Sequence, residues 1–309
     1  MNILITGCNG QLGHEILILE RTNTQHRYFN TDIQAYAEDV ENYFQLDITD
    51  KCAVWDFVTE NNIDGIINCA AYTAVDEAER NRSTCATLNS LAPAYLAESI
   101  DSRNGWIIHI STDYVFDGTA HTPYVEQTAT CPASVYGDTK LAGEIAVSSI
   151  CSRHVIIRTS WLYSEYGKNF VKTMVNLGKT RDELSVIFDQ TGTPTYALDL
   201  AEAIFSIISH GIVSGIYHYS NEGAISWYDF TKAIHRIAGI TTCNVKPIRT
   251  EDYPTPAQRP HYSVLDKTKI KSVYGISIPY WEESLQHCIR RMTDTAMHQY
   301  SDNNKHTIS

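Results

Sequence analysis

Tyr136 and Lys140 stand four residues apart in Tyr136-Gly137-Asp138-Thr139-Lys140, so on a helix the phenol and the ammonium share one face. A phenol, with its ordinary pKa of about 10, is a poor proton donor at neutral pH until a nearby cation favours its phenolate. Lys140 supplies such a cation. Ser111-Thr112 lies two dozen residues earlier and offers hydroxyls that can hydrogen-bond a carbonyl oxygen beside the Tyr. The Tyr–Lys spacing alone carries little weight, because Tyr228 and Lys232 repeat it. No strand-end hydroxyl precedes Tyr228 at the matching distance, and it reads as a residue on a helix face.

A second group is Gly7-Cys8-Asn9-Gly10-Gln11-Leu12-Gly13. A dinucleotide pyrophosphate needs a tight glycine turn, close backbone approach and free N–H groups at a helix N-terminus. Gly10 and Gly13 can supply the approach and the close packing of helix on strand. Asp32 follows nineteen residues after Gly13, where a carboxylate can bind the 2′-hydroxyl of an adenosine ribose. In that setting Lys140 can also hold a nicotinamide ribose. A glycine-rich turn without function is the alternative, and the order strand, glycines, helix, strand, acid argues against it.

Such groups need elements to position them. Up to about Arg158, continuous apolar runs alternate with helical patterns, as in a parallel sheet wound by crossover helices. The strands are expected at Ile3–Ile5, Arg27–Thr31, Gly65–Cys69, Gly105–Ile110 and His154–Ile157. Helices are expected at Gln11–Glu20, Lys51–Asn61, Ser83–Ser102 and Ser134–Ser149. In an open parallel sheet the ligand crevice lies outside the carboxyl ends of the strands, which is where Thr112 falls. Beyond Ser160 the pattern loosens into a helix near Asn169–Leu177, a strand at Leu184–Ile187, a helix at Tyr196–Ser209 and a strand at Gly215–Tyr219 that can rejoin the sheet. Four prolines between Pro247 and Pro260 suit a surface loop.

The expected fold is therefore α/β, a Rossmann-like doubly wound parallel sheet with a smaller mixed α/β substrate lobe. Residues 1–158 with about 191–220 would form the dinucleotide lobe. About 159–190 with 221–292 would form the substrate lobe, and the polar stretch 293–309 would fray.

With 309 residues, the chain exceeds what one core usually organises. Its formal net charge of −12 argues against binding nucleic acid or an anionic membrane. No apolar run reaches the roughly 18 residues of a membrane span. The eight cysteines form no C-x-x-C pair and the twelve His no H-E-x-x-H, so no zinc site is supported. The cysteines read as reduced, buried thiols of a cytoplasmic protein.

Together the glycines, the strand-end hydroxyl and Y-x-x-x-K resemble the extended short-chain dehydrogenase/reductase superfamily. Within it, Ser111-Thr112-Asp113-Tyr114-Val115-Phe116-Asp117-Gly118, Tyr136 to Glu144, Arg158-Thr159-Ser160-Trp161-Leu162-Tyr163 and Tyr253-Pro254-Thr255-Pro256 through Arg259-Pro260 resemble the dTDP-4-dehydrorhamnose reductases. The similarity runs from Met1 to about Met292. It implies reduction of the 4-keto group of dTDP-4-dehydro-L-rhamnose to dTDP-L-rhamnose, with NADPH or NADH. Carried over by the resemblance, Thr112 would bind the C4 oxygen, Tyr136 would protonate it, and Lys140 would tune Tyr136 and hold the ribose. Asp113 and Trp161 would contact the sugar nucleotide. Gly10, Gln11 and Leu12 would face the pyrophosphate, Asp47 and Ile48 the adenine, and Ala70, Ala71 and Tyr72 the cofactor along the crest of the sheet. Read without the resemblance, Asp47 is equally an ordinary turn acid, Trp161 a core or lobe-interface aromatic, and Asp113 an Asx-turn residue.

Some relatives bind magnesium through glutamates at a homodimer contact. Glu15 matches one such position, but the chain near Tyr196–Leu200 has no corresponding Glu, so magnesium is not supported here. Two other classes share much of the pattern: a nucleotide-sugar epimerase or dehydratase, and a non-catalytic dinucleotide-binding regulatory subunit. A tightly retained, self-regenerated cofactor would mark the first. A partner chain and no ketosugar turnover would mark the second.

Overall fold

The computed structural model describes residues 1–35 and 42–305, with side chains through Asp294. Strands β1 (Asn2–Thr6), β2 (Arg27–Asp32), β3 (Tyr43–Gln45), β4 (Gly65–Asn68), β5 (Trp106–Thr112) and β6 (His154–Thr159) form one sheet together with Gly215–His218. Its order is Gly215–His218, β6, β5, β4, β1, β2, β3, and every pairing is parallel. The direction of winding reverses between β1 and β4, which opens a crevice at their carboxyl ends.

Helices cover both faces, and this is why the strands read as unbroken apolar runs. Ile3 and Ile5 pack into a cluster with Ile16 of α1 (Gln11–Glu20) and Ile204 of the helix Ala197–His210. Leu4 between them faces Val54 of α2 (Lys51–Glu60) and Leu96 on the other side. The same alternation places Ile108 and Ile157 in the first cluster and Ile107 and Ile156 in the second.

Between β4 and β5 the chain forms α3 (Val75–Ala78), α4 (Arg82–Ala86), a π-helical turn Thr87–Leu91 and α5 (Ala92–Asp101). One helix was expected over Ser83–Ser102. Pro93 explains the interruption, since its missing N–H removes the hydrogen bond to residue 89 and the ladder widens there. After β5 comes α6 (Val135–Ile150), whose start is set by Ser134: its Oγ accepts from Gly137 N at 3.2 Å.

A separate apolar cluster lies beyond β6, built from the helices Phe170–Thr180 and Trp227–Ile237, the start of Trp281–Lys305, and the two-stranded parallel pair Glu183–Ile187 and Asn244–Ile248. Pro247 belongs to that pair opposite Val186, not to a loop. A two-stranded sheet has only edge strands, which tolerate a missing donor. Gly215–His218 does rejoin the main sheet beside β6. The last helix carries on to Lys305, into the segment whose polar composition reads as frayed. Tyr228 packs against the apolar cluster of this second unit.

The cysteine expectation needs one correction. Cys8, Cys85, Cys151, Cys243 and Cys288 are buried free thiols, but Cys52 and Cys131 are exposed. Cys52 lies in the first turn of α2 and Cys131 in the irregular approach to α6, where no element covers them.

Candidate active site

A cleft of about 1060 Å³ lies along the carboxyl ends of the strands. The glycine loop forms its floor. Gly7 has φ +73°, and a Cβ there would stand 2.6 Å from Ala70 N, so only glycine allows β1 and β4 to deliver their loops this close. Gly10 caps α1 without a side-chain hydrogen bond, and no acid occupies the first turn. The first N–H groups of α1 therefore face the cleft beside Gln11, Leu12 and Gly13, as an anionic pyrophosphate requires.

Asp32 ends β2 at the cleft edge, where its carboxylate accepts from Asn9 N at 3.0 Å and Gln34 N at 3.4 Å. Asp47 also lines the cleft, but its Oδ1 accepts from Thr49 N at 2.9 Å and Thr49 Oγ1 at 2.7 Å, so it makes the local turn as well. Ile48 lines the cleft as well, with its side chain packed into the core below. Ala70 and Ala71 line the crest, whereas Tyr72 turns away. Its backbone N donates to Asn89 Oδ1 at 2.8 Å, its hydroxyl accepts from Asn81, and its ring packs against Ala78, Cys85 and Val135.

At the end of β5 the Thr112 hydroxyl donates to Asp113 Oδ1 at 2.9 Å and accepts from Tyr114 N at 3.2 Å. Tyr136 comes to the same place from the first turn of α6, its ring edge-on to Tyr114 at 5.5 Å. Burial pushes the Tyr136 phenol up, and hydrogen bonding with Thr112 pulls the other way. Lys140 is buried one turn further along, and its Nζ donates to the Ile110 carbonyl at 2.6 Å. Burial brings its ammonium down to about 8, against the attraction of Glu144. In this geometry the phenol responds to burial and Thr112, while Lys140 is held by the strand. Burial likewise pushes the Asp113 carboxyl up to about 6, against the hydrogen bond from Thr112.

Trp161 enters from the second unit with φ +49°, a left-handed conformation that costs a non-glycine residue about 1–3 kcal/mol. The strain is held by packing. Its ring stacks on Trp227 with centroids 3.5 Å apart, and Gly192 lies so close beneath that a Cβ there would stand 2.6 Å from Cε2. Ser160 beside it donates to the Thr193 carbonyl at 2.7 Å.

The reading of single residues missed the buried pair behind this site. Arg158 of β6 forks onto Glu144 of α6, Nε to Oε1 at 2.9 Å and Nη2 to Oε2 at 2.7 Å. Ser111 Oγ donates to the same Oε1 at 2.5 Å. The signal was present: a charge inside a buried strand requires a partner, and Glu144 follows Lys140 by one helical turn. Gly167 and Lys168 also line the cleft, without any local sequence signal.

Glu15 is buried on α1, away from the glycines, and meets Arg291 Nη1 at 3.2 Å. Burial pushes its carboxyl up, and Glu165 beside it adds to the effect. Among the described residues no group of three or more His, Cys, Asp or Glu could hold a metal ion.

Comparison with known proteins agrees with this architecture. A dTDP-4-dehydrorhamnose reductase of Aggregatibacter actinomycetemcomitans is 40% identical over 294 residues, covering 92% of this chain and 97% of the relative. The crystal structure of a dTDP-4-dehydrorhamnose reductase from Clostridium acetobutylicum superposes with a TM-score of 0.88 at 42% identity, covering 95% of this chain and all of that one. Another from Bacillus anthracis, in complex with NADP, gives a TM-score of 0.87 at 38% identity over 94% and 99% of the two chains. The model of the RmlD substrate binding domain matches residues 1–294, and the chain belongs to that family.

Proposed function

We propose that this protein reduces the 4-keto group of dTDP-4-dehydro-L-rhamnose to give dTDP-L-rhamnose, with NADPH or NADH as the reductant. The observation that carries the reading is the convergence of Thr112, Tyr136 and Lys140 at the carboxyl end of β5, in one cleft with the open N-terminus of α1. The names of the relatives and the NADP held by one of them support the substrate and the cofactor.

A bound reduced nicotinamide supplies the hydride. The chain supplies the rest. Tyr136, like any phenol, is protonated at neutral pH, burial favours that form further, and its proton is the one the C4 oxygen takes. Thr112 and Tyr136 together meet the negative charge that develops on that oxygen. Lys140, on the same helix face, is placed to offset the phenolate that remains after transfer. Asp113 can accept from a sugar hydroxyl, and Trp161 offers a flat face held rigidly by Trp227. The same reading puts the reaction in the cytoplasm; no helix among the described residues is long and apolar enough to cross a membrane.

The test is coupled turnover of dTDP-4-dehydro-L-rhamnose with NADPH and with NADH, the product identified by NMR. Stoichiometric cofactor oxidation with formation of the 4-hydroxy sugar is expected. Protein that purifies with bound dinucleotide and converts the sugar without net oxidation would move the reading to an epimerase or dehydratase.

A further inference from the structure

The cleft presents a charge problem. Asp32, Asp47 and Asp113 line it, against two lysines, Lys140 and Lys168. Lys140 is buried against the Ile110 carbonyl near Tyr136, at the reacting end. A dinucleotide pyrophosphate carries two negative charges, and the N-terminus of α1 answers with about half a unit of positive charge. A cation at that end of the cleft would offset the charge left over.

Lys168 is in the right place. The segment Ser164–Asn169 of the second unit lies across the first turn of α1. Asn169 Nδ2 donates to Gln11 Oε1 at 3.0 Å and to the Ser164 carbonyl at 2.6 Å, while its Oδ1 accepts from Lys172 N at 3.0 Å and starts the helix Phe170–Thr180. At Gly167 a Cβ would stand 3.1 Å from Gln11 Cγ. Lys168 sits between these two anchors, exposed and on the cleft wall. Among the described residues its ammonium has no hydrogen-bond or ion-pair partner.

We propose that Lys168 is a binding residue for the dinucleotide: its ammonium meets the pyrophosphate above the N-terminus of α1, so that the second unit helps hold the cofactor. The proposal rests on the reductase reading above. A lysine acts here as a flexible point charge rather than a fork, so Arg replaces it and an uncharged side chain does not. Because both nicotinamide dinucleotides carry the pyrophosphate, Lys168 serves NADH and NADPH alike.

The experiment measures dissociation constants of NADH, NADPH, ADP and adenosine by tryptophan fluorescence, for wild type, Lys168→Met, Lys168→Arg and Lys179→Met. The last is an exposed control of equal charge change. Lys168→Met is expected to weaken NADH, NADPH and ADP about three- to fivefold at low salt, the gap narrowing as ionic strength rises. Adenosine binding, Lys168→Arg and Lys179→Met should stay within twofold of wild type. Unchanged dinucleotide binding in Lys168→Met overturns the proposal, and so does a selective rise in the KM of the nucleotide sugar. A wild-type protein that binds neither dinucleotide sinks the reductase reading itself, which separates the two failures.

Discussion

Replacing Arg158 by Met should lower the melting temperature by about 5–8 °C. Arg158 and Glu144 are both nearly inaccessible, with 3% and 2% of their side chains exposed. Their contact is two-pronged, and the guanidinium also lies 5.0 Å from the centre of the Phe116 ring. Met keeps an unbranched stem in the space but leaves Glu144 with the Ser111 hydroxyl as its hydrogen-bond partner and Lys140 as a more distant counter-charge. Removing one member of a buried ion pair costs about 3–5 kcal/mol, because the other charge stays buried and uncompensated. At an unfolding entropy of about 2.1 cal/mol/K per residue, 309 residues give roughly 0.65 kcal/mol/K. Dividing the cost by that entropy gives the quoted shift. Scanning calorimetry measures it directly. The double variant Arg158→Met, Glu144→Leu should recover most of the loss, since replacing a whole buried pair by apolar groups is often neutral. A single variant that melts within 1 °C of wild type, or a double variant worse than the single, would refute the account. Activity should fall as well, because Ser111 shares Glu144 with Arg158 and adjoins Thr112 on β5.

Three further outcomes follow from the site. Tyr136→Phe should cut kcat by at least ~10²-fold, the low end of what a positioned general acid provides, with dinucleotide affinity unchanged; Tyr228→Phe should keep its activity, and a Tyr136→Phe enzyme near wild-type turnover removes Tyr136 from the mechanism. Asp113, its carboxyl pushed up to about 6 by burial, should lose its charge as pH falls through 6, so the KM for the nucleotide sugar should rise there and Asp113→Asn should flatten the profile. The folded state keeps that proton between about pH 4 and 6 while the unfolded chain has released it; this group's contribution to stability therefore declines as pH rises across the window, and Asp113→Asn should melt higher than wild type at pH 8. Asp32 at the end of β2 should favour NADH, and Asp32→Ala should shift the ratio of kcat/KM toward NADPH by on the order of tenfold, the removal of an unfavourable carboxylate beside the 2′-phosphate; a wild type that strongly prefers NADPH, with the ratio unmoved in Asp32→Ala, shows that another residue sets the choice.

How much of this was legible in the sequence depended on whether the cause of a feature was local. The sheet was readable because strands covered on both faces leave continuous apolar runs, as at Ile3–Ile5 and His154–Ile157. Helix starts were readable where a cap is adjacent: Ser134 opens α6 and Asn169 opens Phe170–Thr180. β3 was not expected, since three residues at a sheet edge, Tyr43 half-buried and Phe44 and Gln45 exposed, carry no periodicity. The π-helical turn at Thr87–Leu91 interrupts a helical pattern that periodicity alone reads straight through, although Pro93 stood in plain view.

The site divides along the same line. Gly7 to Gly13 lead from β1 into α1, and Thr112, Tyr136 and Lys140 lie at the end of β5 and in the first two turns of α6, so two βα units carry both the signal and the placement. Tyr72 shows the limit of that logic: it follows β4 as Ala70 and Ala71 do, yet Asn89 and Asn81 draw it off the crest. Gly192 beneath Trp161 depends on packing within the second unit, and Gly167 against Gln11 on how that unit meets α1, and no spacing in the chain encodes either contact. Arg158 lies between the two cases. A charge in the buried run His154–Thr159 announces that a counter-charge exists, but several acids precede it at comparable distances. Only the packing of α6 against β5 and β6 selects Glu144, and with it the strand end on which Thr112 is held.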